Sequence, residues 1–196
     1  YDFLQRVFQK LLMNFTWWVN RVDAEGNNVF QGGFLGLDNI GPIDRSHVPP
    51  GYRVEQADGT AWMAFYCLTM LRIGLRLAAE NKVYQSLATK FLEHFVDITD
   101  GVKSTGMWDP ADGFFYDQLV RPDGQRVPLQ VKSLVGLMPI MAVSTLSGGR
   151  KSEVNAERLQ RRWETYLHRR RVAEDPGRAG FVDMVGGTPL QGGRMM

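Results

Sequence analysis

Cysteine occurs once in this chain, at Cys67, so no internal disulfide can staple it. The residues around it are apolar, which suits a buried thiol acting as a small hydrophobe and fits a reducing compartment. Histidine is scarce too. His47, His94 and His168 stand far apart and form no zinc-ligand spacing. An excess of charge of one sign is also lacking, and a net charge of +2 gives no footing for a nucleic-acid partner. The longest apolar run, residues 61–71, is followed by Arg72 and Arg76 and is too short for a membrane span. No EF-hand loop is present, no phosphate loop closed by Lys-Ser or Lys-Thr, and no nucleophile elbow. Neither a metal nor a cofactor is therefore expected. Tyr1-Asp2-Phe3 already opens an amphipathic pattern, with no initiator Met and no signal peptide. The chain is expected to be a piece of a longer polypeptide, with the bacterial cytoplasm as its default setting.

Aromatic residues, in contrast, are plentiful: five Trp, six Tyr and eleven Phe. Apolar positions recur at three- and four-residue spacing over residues 2–20, through Phe3, Leu4, Val7, Phe8, Leu11, Leu12 and Phe15, which predicts a helix. A second helix is expected over about 59–79. It is apolar on nearly every face, so it must be buried on nearly every face. A third is expected over about 82–98. Turn chemistry follows at Trp108-Asp109-Pro110-Ala111-Asp112-Gly113. Residues 114–120 and 125–129 flank Arg121-Pro122-Asp123-Gly124 and read as a hairpin. The apolar pattern over 131–143 predicts a further helix that Pro139 kinks or ends. From 151 to 171 the pattern is that of a charged helix with a thin apolar stripe, and a Gly-rich tail follows. No internal repeat is visible.

One stretch fits neither helix nor strand. Gly32-Gly33-Phe34-Leu35-Gly36-Leu37-Asp38-Asn39 leads to Ile43-Asp44-Arg45-Ser46 in a long connection. Long connections in compact domains are commonly functional, and glycines let such a loop bring an acid, an amide and a guanidinium to a ligand. The competing reading is a structural turn in which Asp38 caps backbone amides and Asp44 pairs with Arg45.

Carboxylates at element ends and in loops alternate with rings. Asp38, Asp44, Glu55, Asp58, Asp109, Asp112 and Asp117 lie among Trp17, Trp18, Phe34, Tyr52, Trp62, Trp108, Phe114 and Tyr116. Sugar sites need this mixture, because rings stack on pyranose faces, carboxylates bind hydroxyls and a pair of acids cleaves the glycosidic bond. Glu55 reads equally well as part of a helix-entry capping cluster. Asp109 beside Trp108 carries the same pair of readings, and Lys132 reads as a counter-charge for one of the acids.

Five blocks taken together resemble the catalytic region of glycoside hydrolase family 63, which includes processing alpha-glucosidases and mannosylglycerate hydrolases. They are Asn14-Phe15-Thr16-Trp17-Trp18-Val19-Asn20, the glycine block 32–39, Glu55-Gln56-Ala57-Asp58-Gly59-Thr60-Ala61-Trp62-Met63-Ala64, Trp108-Asp109 through Gly113-Phe114-Phe115-Tyr116-Asp117, and Val131-Lys132-Ser133-Leu134-Val135-Gly136-Leu137. The resemblance covers about residues 1–143. It implies an all-α fold, part of an (alpha/alpha)6 toroid with a small β-hairpin insertion, in which residues 1–150 form a partial catalytic domain. Residues 151–196, the charged helix and the tail, resemble nothing in that family.

The resemblance further implies inverting hydrolysis of alpha-glucosides or mannosylglycerate-like substrates, with Asp38 as general acid. Trp17, Glu55, Trp108 and Asp109 would line the sugar pocket with Lys132 beside them, and Phe34 and Asn39 count with them as substrate-binding residues. The family's general base is a glutamate of a later segment, outside this sequence. Inversion needs two carboxyls about 6.5–9.5 Å apart, so these residues alone are expected to be inactive. The implied partner is an oligosaccharide or small glycoside, with no nucleic acid and no membrane. Three rival readings stay open: a trehalase- or glucoamylase-like hydrolase on the same toroid, a non-catalytic carbohydrate-binding or helical scaffold protein, and a truncated chain that does not fold stably.

Overall fold

The structure, a computed structural model, describes residues 1–31, 43–45, 47–145, 161 and 164–167. Three long helices form its core: α1 (Asp2–Val19), α2 (Ala57–Ala78) and α3 (Val83–Ser104). Helix α2 buries residues on every side, as its composition demands. By length and composition it could cross a membrane, yet 56% of its most apolar window is buried inside the protein. Phe8 and Phe15 of α1 meet Phe91 of α3 edge-on, with ring centroids 6.0 and 5.1 Å apart. Aromatic rings favour this geometry because a positive edge meets a negative face. Gly74 allows α2 to approach α3 closely, since a Cβ there would sit 3.3 Å from that of Ala88. Cys67 lies in the middle of this core, fully buried, and burial pushes its thiol pKa far above the ordinary range.

The expectation of an all-α toroid is corrected by five strands in two antiparallel sheets, which make the fold mixed. One sheet has the order β1 (Arg53–Glu55), β4 (Asp117–Val120), β5 (Arg126–Leu129). The other pairs β2 (Trp108–Asp109) with β3 (Phe114–Phe115). Strands β4 and β5 form the hairpin around Arg121–Gly124, with Val120 opposite Arg126. The sequence pattern hides two things. The run 114–120 is divided between two sheets, and β1 reaches β4 across more than sixty residues of chain to put Glu55 opposite Gln118. Local patterning carries no sign of such a pairing.

Two helix readings also change. Helix α3 continues to Ser104, past Gly101, because Gly101 packs directly against the Asn27 carbonyl, where a Cβ would collide. The segment expected as a helix over 131–143 is a 3₁₀-helix, Leu134–Met141. Pro139 offers no amide hydrogen and its ring crowds the carbonyl four residues back, so an α-helical ladder cannot run through it. Gly136 seats this segment on the β2–β3 turn, with the Phe114 ring and the Phe115 carbonyl where a side chain would begin. In the C-terminal region, residues 164–167 are helical, and the Tyr166 hydroxyl donates to Asp97 Oδ1 of α3 at 2.6 Å.

Candidate functional site

The entry to α2 gathers most of the buried charge. The Arg45 guanidinium donates to both carboxylate oxygens of Asp58, each at 2.8 Å, and to Asp117 Oδ2 at 3.0 Å. The Arg45 and Asp58 side chains are 1% and 0% exposed. Asp117 Oδ1 accepts the Ala57 amide at 2.7 Å, and Asp58 Oδ1 also accepts the amide of Gly59. Burial alone would lower the Arg45 pKa, but the hydrogen bonds to Asp58 and the charge of Asp117 hold it above its ordinary value. Burial raises that of Asp117 against the opposing pull of the Ala57 amide and Arg45. A planar fork suits this bidentate geometry, which an ammonium could not reproduce. Arg45 therefore does not pair with Asp44, whose Oδ2 lies 2.9 Å from His47 Nδ1.

This cluster holds the chain at Arg45, after the glycine segment, and the same helical turn holds the chain at Phe30, before it. The Phe30 amide donates to Thr60 Oγ1 at 3.0 Å, and the Gln56 amide donates to the Phe30 carbonyl at 3.2 Å. Phe30 and Arg45 thus bind residues 56, 58 and 60 from the two sides of the intervening chain. Asp38, Phe34 and Asn39 lie outside the described residues.

Glu55 stands one step before this turn and is fully buried. Arg126 grips it with two hydrogen bonds, both of 2.9 Å, from Nε to Oε2 and from Nη2 to Oε1. That bond raises the Arg126 pKa. The carboxylates of Asp23, Glu25 and Glu55 cluster within 4.8 Å of one another. Each already has a protein partner. Asp23 accepts from Asn27 and the Val29 amide, Glu25 meets Arg53 at 2.6 Å, and Glu55 meets Arg126. Two arginines, to Glu25 and Glu55, and three amide N–H groups, to Asp23, therefore already engage these carboxylates.

The second group of residues sits on the β2–β3 turn. Trp108 is half-buried against Phe115, with centroids 4.6 Å apart. Asp109 Oδ1 accepts the amides of Ala111 and Asp112 and so closes the turn. Asp112 accepts the Tyr116 hydroxyl at 2.7 Å and Lys132 Nζ at 3.0 Å, and these bonds, the tyrosine's first, lower its pKa. Burial, with the same bond to Asp112, pushes the Tyr116 phenol up to about 12. Lys132 is thus the counter-charge of Asp112. Trp17 lies elsewhere, exposed on α1, with the Arg21 guanidinium 3.8 Å above its ring.

A cavity of about 480 Å³ lies between the two groups. Ala57, Thr60 and Ala61 of the α2 entry form one side, Trp108 and Phe114 of the turn another, and α3 and the 3₁₀-helix the rest. Of the expected pocket residues, Trp108 lines it, whereas Trp17, Glu55, Asp109 and Lys132 are not among its described lining. Arg126 is the site residue that sequence reasoning passed over, and Arg45, Asp58 and Asp117 were singled out there without the partners that the fold gives them. Their partners lie up to 72 positions away, beyond the reach of any local motif.

No family model matches the chain, and no solved structure matches it. A protein of Saccharomyces cerevisiae (strain ATCC 204508 / S288c), described as "Uncharacterized protein YMR196W", is 52% identical over 161 residues. The match takes in 74% of this chain and 15% of the relative, so the chain spans about 15% of the length of that protein. The yeast relative therefore carries a sequence like this one inside a much longer polypeptide.

Proposed function

We propose that this chain supplies the general-acid segment of a glycoside hydrolase that cleaves alpha-glycosidic bonds with inversion, on alpha-glucosides or mannosylglycerate-like substrates. Asp38 gives its proton to the departing glycosidic oxygen. A glutamate from outside these residues activates water on the opposite face of the sugar. Trp108 offers its ring to a pyranose. The observation that carries the reading is that the chain is held on both sides of the glycine segment, at Phe30 and at Arg45, by one turn of α2 at the edge of an aromatic-walled cavity. A proton donor works only if its carboxyl is held at a set distance from the leaving group, and ends fixed in buried structure serve that need. The blocks that resemble family 63 support the same assignment.

A second reading, a non-catalytic helical scaffold, draws on a different observation. Glu55, Asp109 and Lys132 all spend their polar atoms on internal partners. Hydrolysis of an aryl alpha-glucoside by the longest polypeptide carrying this segment separates the two, with wild type set against Asp38→Asn. The expected outcome is turnover in the wild type and a loss of about 10²–10⁴-fold in the variant. Near-normal turnover in Asp38→Asn would remove Asp38 as the acid. No hydrolysis by either protein, across a panel of alpha-glucosides and mannosylglycerate, would leave the scaffold.

A further inference from the structure

Helix α1 turns one face to the core and another to solvent. Phe8 and Phe15 are buried, with Leu4, Leu11 and Leu12 packed around them. On the outer face, Phe3, Arg6, Lys10, Met13 and Trp17 follow one another at spacings of three and four, and Arg21 comes four residues after Trp17. Such spacing lines side chains up along one side of a helix. Phe3, Met13 and Trp17 are 77%, 76% and 50% exposed, and Arg6, Lys10 and Arg21 are exposed with them. Exposed apolar side chains scattered singly are ordinary, whereas a line of them marks a surface that meets something.

The charge on this face has one sign. Asp2 is the only acid in α1. Among the described residues, no carboxylate pairs with Arg6, Lys10 or Arg21. The Arg21 guanidinium lies over the Trp17 ring, so a cation and an amphipathic ring stand at one level of the face. The arrangement discriminates between occupants. A helix of a protein partner would bury Arg6 and Lys10, which lie between Phe3 and Met13, and would need a carboxylate for each. A second copy packed antiparallel along the same line would set Lys10, at its centre, against Lys10. An anionic bilayer makes neither demand. Phe, Met and Trp side chains enter the boundary between headgroups and acyl chains, while Arg and Lys stretch their stems toward lipid phosphates.

We infer that the outer face of α1 rests on an anionic lipid surface, with Phe3, Met13 and Trp17 in the headgroup boundary and Arg6, Lys10 and Arg21 on the lipid phosphates. The family resemblance implied no membrane, and the inference departs from that expectation. It is independent of the hydrolase reading, since no residue of α1 is among the described lining of the cavity.

Vesicle flotation of the 196-residue chain tests it. The chain should float with vesicles of phosphatidylcholine and phosphatidylserine and stay behind with phosphatidylcholine alone. Arg6→Gln with Lys10→Gln should weaken the partition about 30-fold, and Phe3→Ser with Trp17→Ser at least about tenfold. These positions are exposed, so both variants should keep the wild-type melting temperature. Tryptophan emission should shift to the blue on binding, and Trp17→Phe should remove most of that shift. No binding to the anionic vesicles overturns the inference, and so do equal binding to the neutral ones, indifference to the substitutions, and a blue shift that survives Trp17→Phe. Self-association abolished by Phe3→Ser with Trp17→Ser would overturn it in favour of a second copy. An acidic helical peptide that binds this face while vesicles do not would overturn it in favour of a protein partner.

Discussion

The entry to α2 and the β2–β3 turn face each other across one cavity, and both looked equally rich in acids along the sequence. They are held together by opposite means. At the entry, Arg45, Asp58 and Asp117 form an ion cluster sealed from water. At the turn, Lys132 and Asp112 make the same kind of contact at a similar distance, but with side chains 60% and 39% exposed. What orders the turn is close packing, with Gly136 set against Phe114 and Phe115. The difference teaches that a charge pair reports on structure only through its burial. The same 3 Å contact is an anchor in one place and an ornament in the other.

Replacing Arg45 should have the largest effect. Arg45→Met leaves two carboxylates buried without their cation, and a loss of about 3–5 kcal/mol is expected in denaturant melts. A loss below about 1 kcal/mol would erase the contrast by placing the cluster among surface pairs. Next comes Gly136→Ala, which puts a methyl group into the Phe114 ring and the Phe115 carbonyl. A cost of about 1–3 kcal/mol is expected, measured by thermal unfolding. No change there would mean that the 3₁₀-helix lifts away freely and that the turn has another source of order. The smallest effect belongs to Lys132→Ala, for which the melting temperature should stay where it is at both low and high salt. A clear drop at low salt that vanishes at high salt would show the exposed pair to be an anchor after all.

The same contrast explains what could be read in advance. Helices α1, α2 and α3 were legible because their apolar spacing is local and strong, and the all-round burial of α2 follows directly from its composition. The hairpin around Arg121–Gly124 was legible because its turn residues state it. The ends of elements were less so. Nothing near Gly101 signals that the Asn27 carbonyl will make room for α3 to continue, and an apolar run around Pro139 reads as α-helix until the proline's missing hydrogen is counted. The candidate site was the least legible part. Lys132 was legible as a counter-charge, and it meets Asp112, but the other partners were not legible. Glu55 met Arg126, and Arg45 passed over its neighbour Asp44 for two distant carboxylates. Charge pairing is decided by the fold, and spacing along the chain does not encode it. The glycine segment itself, with Asp38, lies outside the described residues, and only the chain on either side of it, at Phe30 and Arg45, is placed.

Cys67 gives this molecule a built-in stopwatch. Its sulfur sits where α1, α2 and α3 meet, and neither an alkylating reagent nor a disulfide dye can touch it while they stay together. With no competing thiol anywhere in the sequence, every modification event reports an opening that exposes this one site. The rate of labelling, read without any denaturant, would report how readily the packing of α1, α2 and α3 around this sulfur opens under working conditions.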